Sequence, residues 1–217
     1  MIYLRNCKNI FIDFDGIIVD SNKFKEYAIR DSILQLFGES INNYSAINYF
    51  NINAGISREK KLSKFFEYDE VNQIMEKYSE KCKSFFVKAL PTNGFKEFLF
   101  YIKNNTKNLR LFVLSGGEKN EIEIFLKNNN LISFFDNVLA SEKSKIEHLK
   151  KFNITKNDIF IGDSKNDLKV AIESGLRFVL FEEFQSSESS PSKELIKKHV
   201  FLKTQNFQSL LHNLAYE

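Results

Sequence analysis

The sequence predicts an α/β protein with a doubly wound parallel sheet and an inserted helical domain. Continuously apolar segments indicate strands that are covered on both faces, and helical patterns separate most of them, which favours a parallel sheet. One long, mostly helical stretch, residues 22–88, stands where a single crossover helix would be enough. The predicted strands lie near Ile10–Ile12, Leu109–Leu114, Asn137–Ala140, Asp158–Ile161 and Arg177–Phe181.

The first strand, Ile10–Ile12, runs into two carboxylates, Asp13 and Asp15, and then into Gly16. Side chains alternate along a strand, so both carboxylates leave the sheet on the same side. Parallel sheets bind their ligands at the carboxyl ends of the strands. Two close negative charges need a cation, and Mg²⁺ prefers carboxylate oxygens. The segment therefore predicts a magnesium site at this end of the sheet.

The insertion that follows shows helical spacing of its apolar residues. An apolar stripe from Phe24 to Phe37 predicts a helix that Gly38 ends. Ser57 and Asp69 are predicted N-caps of two further helices. The domain prediction is a core of residues 1–21 and 89–217 that carries an inserted domain of residues 22–88.

The second half of the chain alternates strands with helices. Pro91 and Gly94 separate the insertion from the next helix. A polar surface loop is predicted over Gln185–Pro191. The predicted helices lie near Phe95–Ile102, Glu118–Lys127, Ile146–Phe152, Leu168–Ser174 and Phe207–Leu214.

Three further groups of polar residues stand in this half, in a fixed order. The second strand ends in a hydroxyl and two glycines, a loop then offers two lysines, and a later strand ends in a glycine and an acid with another acid four positions on. These groups are Ser115-Gly116-Gly117, then Lys143 and Lys145, then Gly162-Asp163 with Asp167.

Together with Asp13-x-Asp15-Gly16, these groups resemble the four ordered motifs of the haloacid dehalogenase (HAD) superfamily of phosphohydrolases, over nearly the whole chain. The insertion is similar in position and character to the helical cap of the branch that contains phosphoglycolate phosphatase and β-phosphoglucomutase. The resemblance implies a HAD-like Rossmannoid core with an α-helical cap.

The resemblance also implies roles for individual residues. Asp13 would be the nucleophile that forms an aspartyl-phosphate. Asp15 would protonate the leaving oxygen and then activate water. Ser115 and the amide of Gly116 would bind the phosphoryl oxygens, and Lys145 would face them.

A magnesium ion would be held by the Asp13 carboxylate, the Asp15 backbone carbonyl, Asp163 and waters. For Asp167, three interpretations stay open: it contacts the metal through water, it orients Lys145, or it N-caps a helix that begins at Leu168.

The lysine of the third motif has two candidates. Relatives often show Lys-Pro-x-Pro, and no proline stands near Lys143 or Lys145. In shorter members the lysine opens a helix with a leucine four residues later, and Lys145 with Leu149 fits that spacing. We expect Lys145 to be the functional lysine and Lys143 to be its solvated neighbour.

In the predicted cap, Asn53–Lys61 resembles a substrate-facing loop. Arg58 and Lys61 could meet an anionic group at the far end of a substrate, or they could belong to a basic, solvated helix face. Both interpretations stay open, with Arg58 as the candidate substrate ligand.

The resulting hypothesis is a Mg²⁺-dependent phosphatase acting on a small phosphorylated metabolite. The alternatives are a phosphomutase of the same fold and, more remotely, a catalytically silent module that binds a phosphorylated ligand. A dehalogenase is disfavoured, because that reaction needs one aspartate and no metal. A signalling receiver domain is about half as long and has no cap.

Composition excludes several other classes. The net charge is only +3 and the lysines alternate with glutamates, which argues against a nucleic-acid partner. No apolar stretch approaches the roughly 20 residues of a membrane helix. Cys7 and Cys82 match no metal or redox spacing, so we expect reduced thiols in a cytoplasmic monomer or homodimer. None of the three histidines has ligand spacing, and His148 is expected on a helix surface.

Overall fold

A computed structural model describes residues 2–4, 6–53, 56–185 and 190–215. The chain divides into two compact units, one formed by Met1–Asp20 with Leu90–Glu217 and the other by Ser21–Ala89. No helix in the described ranges is long and apolar enough to cross a membrane.

Strands of the first unit form a six-stranded, wholly parallel sheet in the order β4-β3-β2-β5-β6-β7, and a separate parallel pair, β1 with β8. The strands are β1 (Ile2–Tyr3), β2 (Asn9–Ile12), β3 (Arg110–Leu114), β4 (Asn137–Leu139), β5 (Ile159–Gly162), β6 (Arg177–Phe181), β7 (Val200–Thr204) and β8 (Leu214–Ala215). The predicted fold class, a doubly wound α/β sheet, is confirmed.

Helices connect these strands or build the second unit. They are α1 (Asn22–Phe37), α2 (Ile41–Ile52), α3 (Arg58–Leu62), α4 (Tyr68–Lys88), α5 (Phe95–Asn105), α6 (Lys119–Asn128), α7 (Lys145–Leu149), α8 (Lys165–Ser174), α9 (Lys193–His199) and α10 (Phe207–His212), with a 3₁₀ turn at Ile132–Phe134.

Strand β2 marks the point where the winding of the sheet reverses. The chain proceeds from β2 to β3 and β4 on one side, and then returns to β5 on the other side of β2. Phe11 of β2 pairs with Phe112 of β3 and with Phe160 of β5. In sheets of this kind a crevice opens beyond the carboxyl ends of the strands at the reversal, and ligands bind there. The position directly after β2 is therefore the expected place for a site.

Aromatic side chains fill much of the core around the sheet. Phe11 stacks on Phe112 with ring centroids 5.2 Å apart, and the ring of Phe152 meets Phe112 edge-on at 4.8 Å. Phe207 of α10 packs against Phe181 at 4.8 Å, which fixes the last helix on the sheet. Such pairs add specific geometry to the burial of apolar surface.

The second unit is built from helices α1 to α4 in the described residues. Helix α1 buries Ala28, Ile29 and Ile33, and it packs against α2 and α4. The turn after α1 is closed by Asn43, whose side-chain amide donates to the Gly38 carbonyl at 2.9 Å. This bond supplies a donor to a helix end whose carbonyls have no partner within the helix.

Several predicted element boundaries were wrong. Helix α4 begins at Tyr68 and is capped by Glu67, whose capping box with Glu70 displaces the predicted cap, Asp69. Helix α8 begins at Lys165 rather than Leu168, and its cap is Ser164. The last helix ends at His212, because Leu214 pairs with Ile2 in a strand. Helices α2 and α9 and strands β1, β7 and β8 were not predicted.

Candidate active site

Asp13 and Asp15 lie directly after β2, at the reversal of the sheet. The Asp13 amide donates to the Ile161 carbonyl at 2.9 Å, which continues the pairing between β2 and β5 and holds the Asp13 backbone in place. The chain then turns, and the Ile18 amide donates to the Phe14 carbonyl at 2.9 Å. Gly16 has a φ of 76°, which a residue with a Cβ adopts only at a cost. The glycine of this motif therefore permits the turn that carries Asp15.

Lys145 joins two of the acids. Its Nζ donates to Asp13 Oδ1 at 2.7 Å and to Asp167 Oδ1 at 2.6 Å. The flanking carboxylates hold the pKa of Lys145 above its usual value, against the opposing effect of burial. Lys143, the other sequence candidate, is exposed. Of the two lysines, the structure therefore brings Lys145 to the aspartates.

Asp163 and Asp167 approach the site from β5 and α8. A Cβ placed on Gly162 would lie 2.6 Å from the Asp167 Cβ, so glycine is required for this close approach. Asp167 does not cap α8, contrary to one of the interpretations above. Its Oδ2 accepts from the Ser164 hydroxyl at 2.6 Å as the third residue of a capping box, while Oδ1 is held by Lys145.

Asp13, Asp163 and Asp167 form a buried carboxylate group, in which one ligand oxygen of each lies within 4.8 Å of the others. Burial, reinforced by the neighbouring acids, raises the pKa of Asp13 to about 7 and that of Asp163 to about 8. A cation would relieve this repulsion, and an all-oxygen donor set is one that Mg²⁺ accepts. The residues present therefore fit a magnesium ion. The Asp15 carboxylate is not part of this group.

Ser115 and its two glycines lie at the end of β3. The serine is 1% exposed, and its Oγ accepts from the Gly117 amide at 3.0 Å. A Cβ on Gly117 would lie 3.6 Å from Asp15 Oδ2, which places this loop beside the first motif. A Cβ on Gly116 would meet none of the described residues within 4 Å, so close packing does not require a glycine there.

Two contacts at the site were not predicted from the sequence. The Gln185 side-chain amide donates to the Asp163 carbonyl. Ser141 links the loops after β3 and β4, since its amide donates to the Gly117 carbonyl at 3.0 Å and its hydroxyl to Glu118 at 2.9 Å. Gln185 is the first residue of the polar loop predicted from the sequence, of which residues 186–189 lie outside the described residues. No spacing rule singles out Gln185 or Ser141.

The prediction that His148 lies on a helix surface was wrong. The side chain is buried, and its Nε2 lies 2.8 Å from the Ala140 carbonyl oxygen. Helix α7 is short, and the polar residues before His148 concealed the fact that its second half faces the protein interior together with Leu149.

Arg58 and Lys61 lie in the second unit and are both buried, so neither belongs to a solvated helix face. The Arg58 guanidinium stacks over the Tyr78 ring at 4.8 Å. Lys61 Nζ donates to the Phe50 carbonyl at 2.9 Å, and burial together with the charges of Arg58 and Lys25 lowers its pKa to about 8. Residues 54–55 of the predicted substrate-facing loop lie outside the described residues.

Comparison with known proteins identifies the family. The sequence model of the family of haloacid dehalogenase-like hydrolases matches residues 10–181, which include all four groups of polar residues. The chain belongs to this family. The match spans β2 and β5, which lead to Asp13 and Asp163, and the insertion between β2 and β3.

Solved structures share this fold at low sequence identity. A haloacid dehalogenase-like hydrolase from Streptococcus pneumoniae is 17% identical, with a TM-score of 0.69 over 95% of this chain and 98% of that one. A predicted phosphoglycolate phosphatase from Haemophilus somnus is 16% identical, with a TM-score of 0.72 over 95% and 97%. Rhodobacter sphaeroides CbbY, as a mutant bound to xylulose-(1,5)bisphosphate, is 13% identical, with a TM-score of 0.73 over 94% and 96%.

One curated protein shows a partial likeness. The chain is 25% identical over 166 residues to the DNA primase large subunit PriL of Methanocaldococcus jannaschii. The match covers 70% of this chain but only 38% of the relative, so this chain spans well under half of the primase subunit.

Proposed function

We propose that this hydrolase is a Mg²⁺-dependent phosphatase that removes the phosphoryl group of a small phosphorylated metabolite through an aspartyl-phosphate. The observation that carries the proposal is the Lys145 ammonium, which bridges Asp13 and Asp167 inside a group of three buried carboxylates. Phosphate esters repel anionic nucleophiles, so a site that attacks them must supply positive charge and fixed positions. A lysine and a cation site beside one carboxylate supply the positive charge and hold the reacting groups in fixed positions.

Asp13 is the proposed nucleophile. A carboxylate oxygen attacks phosphorus, and the bond from phosphorus to the ester oxygen breaks. Burial and the neighbouring acids favour the protonated form of Asp13, and Lys145 opposes them by favouring the ionised form that attacks. A magnesium ion at Asp13, Asp163 and Asp167, with the Asp15 carbonyl as the fourth proposed ligand, would neutralise charge on the phosphoryl oxygens.

Asp15 is the proposed acid and base. It gives its proton to the departing oxygen, and it then takes a proton from the water that attacks the aspartyl-phosphate. Phosphate leaves as the bond from phosphorus to Asp13 breaks, and Asp15 is left protonated for the next cycle. Its partial exposure and its place beside Gly117 suit a group that exchanges protons with substrate and water.

Ser115 and the Gly116 amide are the proposed phosphoryl ligands. The Gly117 amide already donates to Ser115 Oγ, so the hydroxyl proton remains available for donation to a phosphoryl oxygen. Lys145 would contact the same oxygens as negative charge develops on them.

The proposed substrate is small because the inserted unit, Ser21–Ala89, is interpreted as a cap that limits access. Proteins of the same fold include one named as a phosphoglycolate phosphatase and one bound to xylulose-(1,5)bisphosphate. Both of these compounds are small and anionic. Arg58 is the proposed ligand of a second anionic group. The variant Arg58→Ala is then expected to raise KM for such a metabolite more than for p-nitrophenyl phosphate, and an equal effect on both would refute this role.

The test is a screen of phosphorylated metabolites, with released phosphate and isomeric products measured in Mg²⁺ and in EDTA. We expect phosphate release that needs Mg²⁺ and falls to background in Asp13→Asn, which keeps the shape of the side chain but loses its charge. Asp69→Asn, an exposed aspartate in α4, is the matched control and is expected to keep full activity. Activity of Asp13→Asn, or of the wild type in EDTA, would contradict the mechanism. Isomerisation without phosphate release would indicate a phosphomutase.

A further inference from the structure

Helix α7, which carries Lys145, is too short to hold its own position. It has five residues, Lys145–Leu149. Helices shorter than about 12 residues are marginal on their own in water, because the first turn is costly to form. Its sequence contains no proline that would restrict the backbone. The position of the Lys145 ammonium therefore depends on the contacts that hold the two ends of α7.

The first end of α7 is held by a capping box on the surface. The Ser144 Oγ accepts from the Glu147 amide at 3.2 Å, and Glu147 accepts from the Ser144 amide at 2.9 Å. Both residues are exposed. These bonds satisfy the helix start, but they do not attach it to the sheet.

His148 attaches the second end of α7 to the sheet. It is 3% exposed, and its Nε2 lies 2.8 Å from the Ala140 carbonyl oxygen, directly after β4. A carbonyl only accepts, so Nε2 carries the proton of this bond. The carboxylate of Glu142 is 3.7 Å from the same nitrogen, and the Glu142 side chain is 47% exposed.

The segment that His148 contacts is itself fixed to the loop of Ser115. Ser141, the next residue after Ala140, donates its amide to Gly117 and its hydroxyl to Glu118. The Ser115 amide donates to the Leu139 carbonyl at 2.9 Å. A chain of hydrogen bonds therefore connects α7 with the loop that carries Ser115.

We propose that His148 is a positioning residue. Its bond to the Ala140 carbonyl holds α7 against the end of β4, so that the Lys145 ammonium reaches Asp13 and Asp167. The rate consequence of this role rests on the proposed phosphatase function, whereas the placement of Lys145 does not. His148 itself need touch neither substrate nor metal.

The test compares three variants of His148. Gln places an amide nitrogen about as far from the backbone as His Nε2. Asn has the same amide group on a shorter side chain. Phe fills the space but has no hydrogen-bond donor. We expect His148→Phe and His148→Asn to lower kcat by roughly 10- to 100-fold with little change in KM, as displacement of a group that acts in the transition state would. His148→Gln is expected to restore most of kcat. His212→Phe, at an exposed histidine of α10, is the control and is expected to match the wild type.

Crystal structures of the same variants separate this inference from the proposed function. We expect the Lys145 Nζ to stay near its 2.7 Å contact with Asp13 in His148→Gln and to leave it in His148→Asn. The inference is overturned if Lys145 keeps that contact in His148→Asn, or if the Gln and Asn variants lose equal activity. A wild-type protein without activity would overturn the proposed phosphatase function instead. The crystal structures would still decide the role of His148. If His148→Phe does not fold, the comparison rests on His148→Gln and His148→Asn.

Discussion

The six-stranded sheet buries aspartates at both ends of its strands, and it satisfies them in different ways. At the amino end, Asp158 is 0% exposed, and its carboxylate accepts from the amides of Lys8, Asn9 and Thr155, each at 2.9 Å. The Asn9 side chain adds a fourth donor at 3.1 Å. Uncharged N–H groups, most of them in the main chain, therefore surround this carboxylate.

At the carboxyl end, one ammonium bridges two of the three buried aspartates. Lys145 contacts Asp13 and Asp167, while burial and repulsion raise the pKa of Asp163. The main-chain donors around Asp158 are part of the fold, so they satisfy this carboxylate whether or not a ligand is bound. The carboxyl end keeps negative charge that a cation can still neutralise. A carboxylate that stabilises the fold is thus distinguished from the carboxylates that we propose hold a cation.

Among the changes that test this comparison, Lys145→Ala is expected to have the largest effect, and that effect is on catalysis. Loss of a cation that faces the transferring phosphoryl group is expected to lower kcat by about 10²- to 10³-fold. Lys143→Ala removes an exposed lysine two residues away and is the control, expected to change kcat less than about twofold. A reversal of these effects in steady-state assays would identify Lys143 as the functional lysine.

The second expected effect is on stability, from Asp158→Ala. Removal of the carboxylate leaves the buried amide of Asn9 without an acceptor, which costs about 1–3 kcal/mol, and it also removes the acceptor of the partly buried Thr155 amide. Denaturant unfolding should show a lower free energy of unfolding. The kcat of the folded variant should stay near that of the wild type. A large fall in kcat at full stability would mean that the two ends are not separate in function.

The third expected effect is the pH dependence of stability without metal. An unfolded aspartate loses its proton near 3.8, whereas folded Asp13 and Asp163 keep theirs until about 7 and 8. Between these values the folded state binds more protons, so its stability falls as pH rises. In EDTA we expect Tm to fall steadily between pH 5 and pH 8 through this effect.

Mg²⁺ should counteract that fall, since at the proposed site it would bind the ionised carboxylates of the folded state. Asp163→Asn in EDTA should show a shallower dependence than the wild type, because one of the two titrating groups is gone. Calorimetry at several pH values measures both. A pH dependence that is the same with and without Mg²⁺ would show that the carboxylate group does not bind the ion.

Sequence patterns predicted the strands that carry the aspartates, because buried parallel strands are continuously apolar and their ends are polar. The patterns did not predict α2, whose repeated asparagines resemble loop composition although Asn43 is buried and bonded to the turn after α1. They missed β7, an edge strand whose burial alternates only weakly. The sequence did not predict the buried position of His148, because its partner is a main-chain carbonyl. A sequence does not show which carbonyl lies within hydrogen-bond distance of a side chain.

The ends of the insertion are held together by Thr92. Its hydroxyl donates to the Ile17 carbonyl at 2.7 Å and its amide to the Ile18 carbonyl at 3.0 Å, so the chain returns to the sheet beside the point where it leaves. Bringing the ends of a chain together costs entropy that rises only slowly with the number of residues between them. Insertions of very different length can therefore occupy this position at similar cost. The inserted unit can therefore differ in length while the strand that leads to Asp13 keeps its place.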